Sequence, residues 1–191
     1  MDLIEEYTKK IFPLSKQGLE LYKSIFTKKV FKKNDIFIEQ GTVSTKFYIV
    51  SVGITRSYFL DEVGKNHTRS IYVPNTITGS PSSSFSNTAS KLSCQCLTDC
   101  VLFEADFKDY RELTDTNPEI LKFYSKELED RILFLQEKII VLSSFDATKS
   151  YLELRDRIPK IDNLIPQHQI ASYLNITPVQ LSRIRKELFS K

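Results

Sequence analysis

The residues best suited to chemistry stand near the end of the chain. Pro166 opens a short helix containing Ile170, Ala171 and Leu174, Asn175-Ile176 makes a turn, and Thr177-Pro178 starts a second helix. Asn tolerates the left-handed backbone of such a turn, Thr is a good N-cap, and Pro suits the first helical position. Leu181, Ile184 and Leu188 fall at i, i+3 and i+7 and mark the buried face of the second helix. Its opposite face carries Val179, Arg183, Lys186 and Ser190, flanked by Gln180 and Ser182. Such a face can read DNA bases in a major groove. Arg pairs with guanine, Gln with adenine, and Val packs on the thymine methyl. His168, at the start of the first helix, is placed to touch a phosphate, and Thr177 completes the candidate set. The competing reading makes Arg183 and Lys186 an ordinary solvated face.

Charge is divided unevenly. The whole chain is only +3. Residues 149–191 hold eight Lys/Arg against four Asp/Glu, a balance of +4, and residues 1–148 stand at −1. Positive charge therefore gathers where phosphate contacts would have to be.

Other reactive side chains are few. Cys94, Cys96 and Cys100 are an odd, sparse set, as expected of a reducing cytosol. Their C-x-C-x3-C spacing admits a metal or a redox thiol, but Cys94 and Cys96 share one strand face, where Cys serves as a small buried residue. The two histidines, His67 and His168, are a hundred residues apart, so neither a metal site nor a catalytic residue is expected. The N-terminus reads as no signal peptide, and no run reaches the ~18 apolar residues of a membrane span. The expectation is a cytoplasmic protein with no membrane contact.

Three kinds of element must position these residues. Two short helices flank Pro13. Short β-branched or aromatic runs with turn signals between them follow from Val30 to Ala105, as in a sandwich or barrel. Asn117 then caps a long helix that starts at Pro118. In it Leu121, Leu128, Leu135 and Leu142 fall seven apart, with Ile132 and Ile139 at the other seam position. A helix over 118–142 would run about 37 Å, longer than a small domain needs, so a two-helix dimer seam is favoured over a buried core helix. Asp146 starts another helix, with Ala147, Tyr151, Leu154 and Ile158 on one face. The expected fold class is α+β. Residues 1–116 form a β sensor with N-terminal helices, 117–143 the dimerisation helix, and 144–191 a helix-turn-helix domain.

This order of parts resembles the Crp–Fnr family of bacterial transcription regulators over nearly the whole chain. Residues 31–41 are similar to the family's first hairpin, residues 47–53 to its next strand and turn, and residues 146–151 to the start of the helix entering its DNA-binding domain. The resemblance implies a jelly-roll (double-stranded β-helix) sensor akin to cyclic-nucleotide-binding domains. It also implies a parallel homodimer, a two-fold-related site on double-stranded DNA, and RNA polymerase as a further partner. In the family's phosphate-binding segment this chain keeps Gly79, but Ser80 stands where Glu is expected and Ser90 near the expected Arg. Lys91 is a point charge without the planar fork of Arg. Cyclic AMP is therefore not expected as a ligand. Gly79, Ser80, Ser82, Ser83, Ser90 and Lys91 are the candidate pocket for another small effector, or the remnant of a lost one. The family's C-terminal β-hairpin wing has no counterpart. Two other classes stay open: a ligand-binding or protein-interaction module that no longer reads DNA, and more remotely a cupin-type enzyme, which the lone β-region histidine disfavours.

Overall fold

The computed structural model describes residues 3–144 and 146–189, and the side chains of 3–140 and 146–188. The expected helix pair is α1 (Leu3–Ile11) and α2 (Lys16–Ser24). The Ser15 hydroxyl caps α2 by accepting the Gly18 N–H at 3.1 Å. Eight strands follow: β1 (Thr27–Phe31), β2 (Ile36–Ile38), β3 (Lys46–Val52), β4 (Thr55–Leu60), β5 (Asn66–Tyr72), β6 (Ile77–Gly79), β7 (Ser93–Cys96) and β8 (Cys100–Asp106). They form two four-stranded antiparallel sheets, ordered β1-β8-β3-β6 and β2-β7-β4-β5. The strand runs implied a sandwich or barrel, and the structure is an eight-stranded sandwich. Within and just after the sandwich two helices also arise where none was expected, as does a third at Ile161–Leu164. Helix α3 (Pro81–Ser86) forms inside the serine-rich segment, and α4 (Phe107–Thr116) is capped by Asp106, whose side chain accepts from the Lys108 N–H.

Alternating side chains divide the interior. Ile38, Tyr48, Val50, Leu102 and the three cysteines fill the space between the sheets. Phe47, Ile49 and Ala105 join Ile4, Tyr7, Tyr22, Tyr110, Ile120 and Phe123 in a cluster beneath the helices. Gly53, at φ +93°, makes the tight β3–β4 turn. A Cβ there would lie 2.4 Å from the Asp99 carbonyl, so only glycine fits.

The long helix α5 (Pro118–Ser144) starts where Asn117 Oδ1 accepts from Glu119 and Ile120. The remaining helices are α6 (Ala147–Arg157), α7 (Ile161–Leu164), α8 (Gln167–Tyr173) and α9 (Pro178–Phe189). Asp146 caps α6 by accepting from the Lys149 N–H at 2.9 Å. Tyr151, Leu154, Ile158, Ile161, Ile165, Ile170, Ala171, Leu174 and Leu181 form the core of this helical unit, and Ile54, Ile71 and Leu97 of the sandwich join it. The unit is thus docked on the sandwich, which the sequence pattern did not foretell. Phe145, Ser190 and the side chain of Leu142 lie outside the described residues, and the expected boundary near 144 abuts that gap. Among the described residues no helix is long and apolar enough to cross a membrane.

Candidate nucleic-acid interface and effector cavity

Helices α8 and α9 meet through a short turn. Asn175 takes the left-handed conformation at φ 56°, and Ile176 N–H bonds back to the Ala171 carbonyl at 3.0 Å. Ala171, fully buried, lets the helices approach, and Leu181 closes the contact from α9. The cations of α9 divide by face. Arg185 turns inward to Asp162 at 3.7 Å, and Asp162 also accepts the Tyr151 hydroxyl at 2.8 Å. Arg183 and Lys186 are exposed and have no carboxylate in salt-bridge range among the described residues. Val179 (61% exposed), Ser182, Thr177, Gln180 and His168 are also on the surface.

One of these residues has a second role. The Thr177 hydroxyl accepts the Gln180 N–H at 3.2 Å, while Gln180 Oε1 accepts from the Thr177 N–H at 2.8 Å and hydroxyl at 3.0 Å. This is a reciprocal capping box. Bidentate reading of adenine needs both the oxygen and the nitrogen of the Gln amide. With Oε1 held by the cap, Gln180 presents only its NH2. The Thr-x-x-Gln spacing carried that signal in the sequence.

The seam residues of α5 are largely uncovered: Leu121 is 47%, Ile132 65%, Leu135 37% and Ile139 65% exposed. Leu128, Ile132 and Leu135 also line a cavity of about 310 Å3 between α5 and the sandwich. Leu142 belongs to the same repeat, but its side chain is outside the described residues.

That cavity only partly overlaps the candidate pocket read from the sequence. Of the residues picked from the sequence, Gly79 and Ser80 are in its wall, but Ser82, Ser83, Ser90 and Lys91 are not. The reason is local bonding. Ser83 Oγ accepts the Ser44 N–H at 2.7 Å, and Ser90 Oγ lies 2.8 Å from Ser80 Oγ and 2.6 Å from the Leu92 carbonyl. The Ser90 backbone pairs with Gly41 and Thr42, stapling the segment to the 41–44 loop, and Lys91 points to solvent. The cavity wall comes instead from Arg69, Tyr72, Phe107, Tyr110, Tyr124, Glu127 and Arg131, among others. Sequence reasoning missed them because no spacing connects β5, α4 and α5 before the chain folds. Glu127 is buried, and its two oxygens accept the hydroxyls of Tyr7 and Tyr110. Burial lifts its pKa more than those bonds and Arg131 lower it.

A second junction ties α5 to both units. The Lys138 ammonium donates to the Arg69 carbonyl and, at 3.1 Å, to Ser70 Oγ, and it sits 5.2 Å from the Tyr173 ring centre on α8. Burial, with Arg69 and Arg157 nearby, pushes its pKa down to about 8. Alongside it, Ser172 Oγ accepts the Thr68 N–H at 2.8 Å, so α8 covers the outer edge of β5.

All three cysteines are reduced and buried. Burial pushes Cys94 up to about 12, and the Cys96–Cys100 hydrogen bond raises Cys96 and lowers Cys100. Among the described residues no cluster of His, Cys, Asp or Glu is placed to hold a metal ion.

Residues 28–117 match the cyclic nucleotide-binding domain family. No curated protein matches the chain in sequence. Among solved structures, FixK2 from Bradyrhizobium japonicum superposes with a TM-score of 0.72 at 16% identity, covering 87% of this chain and 85% of that one. CLP, described as a c-di-GMP responsive global regulator of Xanthomonas campestris, gives 0.69 at 14% identity over 92% of both chains. The catabolite activator protein of Thermus thermophilus gives 0.59 at 19% identity, covering 94% of this chain and 86% of its own. At these identities the likeness is one of fold.

Proposed function

We propose that the chain is a homodimeric, sequence-specific DNA-binding transcription regulator of Crp–Fnr type. In this reading α8 and α9 form the helix-turn-helix, α5 is the dimer helix, and the sandwich is a sensor that no longer takes cyclic AMP. The observation that carries it is the division of α9. Arg185 is anchored inward on Asp162, while Arg183, Lys186 and Val179 are left on the open face without partners among the described residues. A merely solvated helix has no need of that division, whereas a recognition helix needs free cations and an apolar contact on one side. The uncovered Ile132 and Ile139 support self-association, since solvent-facing isoleucines on one long helix gain from a partner. The shared fold with an activator protein and a global regulator agrees with this reading.

Selection from random oligonucleotides tests it. The expected result is an enriched motif with two-fold symmetry. Arg183→Ala should lose about 1–3 kcal/mol of discrimination at one position of each half-site. A pool with no enriched motif overturns the reading and favours a module that binds ligand or protein alone.

A further inference from the structure

The cavity between the sandwich and α5 has a wall whose composition specifies a kind of ligand. Most of it is carbon, with the rings of Phe47, Phe107, Tyr110, Tyr124 and Phe134 prominent. Into this apolar surface two cations project, Arg69 from β5 and Arg131 from α5. Neither has a carboxylate in salt-bridge range among the described residues. Arg131 Nη2 donates to the Ile77 carbonyl at 3.0 Å, which leaves the rest of its fork open. The Ser84 hydroxyl, also in the wall, is buried with no hydrogen-bond partner. The one carboxyl in the wall among the described residues, Glu127, already accepts from two tyrosines, and its burial favours the uncharged form. A half-buried guanidinium at Arg131 without a counter-ion, and an orphaned hydroxyl, are costly arrangements that a bound anion relieves, and Arg69, exposed at the cavity's wall, adds a second free cation.

We propose that this cavity binds an amphipathic organic anion, a carboxylate carried on a flat aromatic body. The rings and aliphatic side chains enclose the body, and Arg69, Arg131 and Ser84 receive the carboxylate. A cyclic nucleotide suits the wall less well. It would bring a polar ribose against carbon, and the serine segment that should meet its phosphate is bonded to itself and to the 41–44 loop. Because Leu128, Ile132 and Leu135 belong both to this wall and to the candidate seam, the ligand would bear directly on how two α5 helices pair. The inference rests on reading the sandwich as a sensor, but its test needs no DNA.

Isothermal titration of the full chain with 2-naphthoate, and separately with its neutral amide, supplies that test. The acid should bind saturably at one site per chain, and the amide at least about tenfold more weakly, because charge-assisted bonds to Arg are lost. Arg131→Met and Arg69→Met should each weaken the acid by about tenfold and leave the amide unchanged. Melting by circular dichroism shows that each variant folds, and Arg69, on an exposed strand position, carries the test if Arg131→Met does not fold. Equal binding of acid and amide, indifference of the acid to both arginines, or no binding of the acid overturns the proposal. So does displacement of bound naphthoate by cyclic AMP or cyclic di-GMP at lower concentration than naphthoate itself. If the titration fails while oligonucleotide selection still yields a motif, the ligand class is wrong and the regulator reading stands. The reverse pattern removes only the DNA reading.

Discussion

Replacing Glu127 probes the packing on which both the cavity and the root of α5 depend. Tyr7 on α1 and Tyr110 on α4 donate to its two oxygens, and Tyr22 on α2 packs beside Tyr110 with ring centres 5.4 Å apart. On α5 the charge of Arg131 lowers the pKa of Glu127 and that of Asp130 raises it. Burial is the largest influence and lifts the carboxyl above its ordinary 4.5, against the pull of the two tyrosines and Arg131. A carboxyl whose pKa is raised on folding contributes stability below its unfolded pKa and loses it as pH climbs through the folded value. Glu127→Gln mimics the protonated form and removes that loss. It can accept from only one tyrosine, a pH-independent cost of about 1 kcal/mol. Glu127→Ala strands both hydroxyls in a buried site, at about 1–3 kcal/mol each. For a chain of this size that corresponds to a fall in Tm of roughly 4–24 °C. Thermal melts of the three proteins from pH 4 to 8 should show Gln gaining steadily on wild type as pH rises from 4.5, with Ala lowest throughout. A Gln-to-wild-type gap that is flat across that range would show that Glu127 titrates as it does in the unfolded chain. An Ala variant melting with wild type would refute the network itself.

Three other outcomes follow from named contacts. Lys138→Met should remove a pH dependence. The lysine's pKa is pushed down to about 8 from 10.5, so wild type bears a cost below pH 8 that is relieved between about 8 and 10.5. The wild-type-minus-Met difference in stability should therefore rise across that window, read as a difference because tyrosines and cysteines titrate there too. Thr177→Ala removes the cap of α9 and should cost about 1 kcal/mol, seen as a fall in Tm of roughly 2–4 °C. Ile139→Glu, at a position 65% exposed in the single chain, should leave the monomer's melt within about 0.5 kcal/mol of wild type yet abolish dimers in analytical ultracentrifugation. A dimer that survives Ile139→Glu would place the interface elsewhere.

Local features were legible because their causes are local. The caps at Asn117 and Asp146, the left-handed Asn175 and the buried Ala171 and Leu181 all follow from residue type and short spacing. The burial of Cys94 and Cys96 followed from strand parity in the same way. What escaped is long-range. Serines 80–90 looked like a ligand cradle by composition, but their partners are on a loop some forty residues earlier, at Gly41, Thr42 and Ser44. The cavity beside α5 is walled by residues of β3, β5, β6, α3, α4 and α5, and no periodicity in one segment encodes such a meeting. Gln180 shows a different failure. The face of a helix tells which side chains are available, but the competing demand of the backbone at its first turn decides what each has left to offer.

The same long-range packing gives β5 a position that its sequence does not suggest. Its outer edge is closed by α8 through Ser172, Lys138 of α5 bonds at Arg69 and Ser70, and the Arg69 side chain lines the cavity. Lys138 in turn lies against Tyr173, so β5, α8 and α5 share a few groups. A ligand that drew the Arg69 guanidinium into the cavity would act where α8 is held, within one residue of the Thr68 amide. For that proximity to become regulation, the ligand must favour one of two docking arrangements over the other by its own differential contacts. The groups able to make such contacts are those at this junction, Arg69 on the strand and the α5 residues that line the cavity.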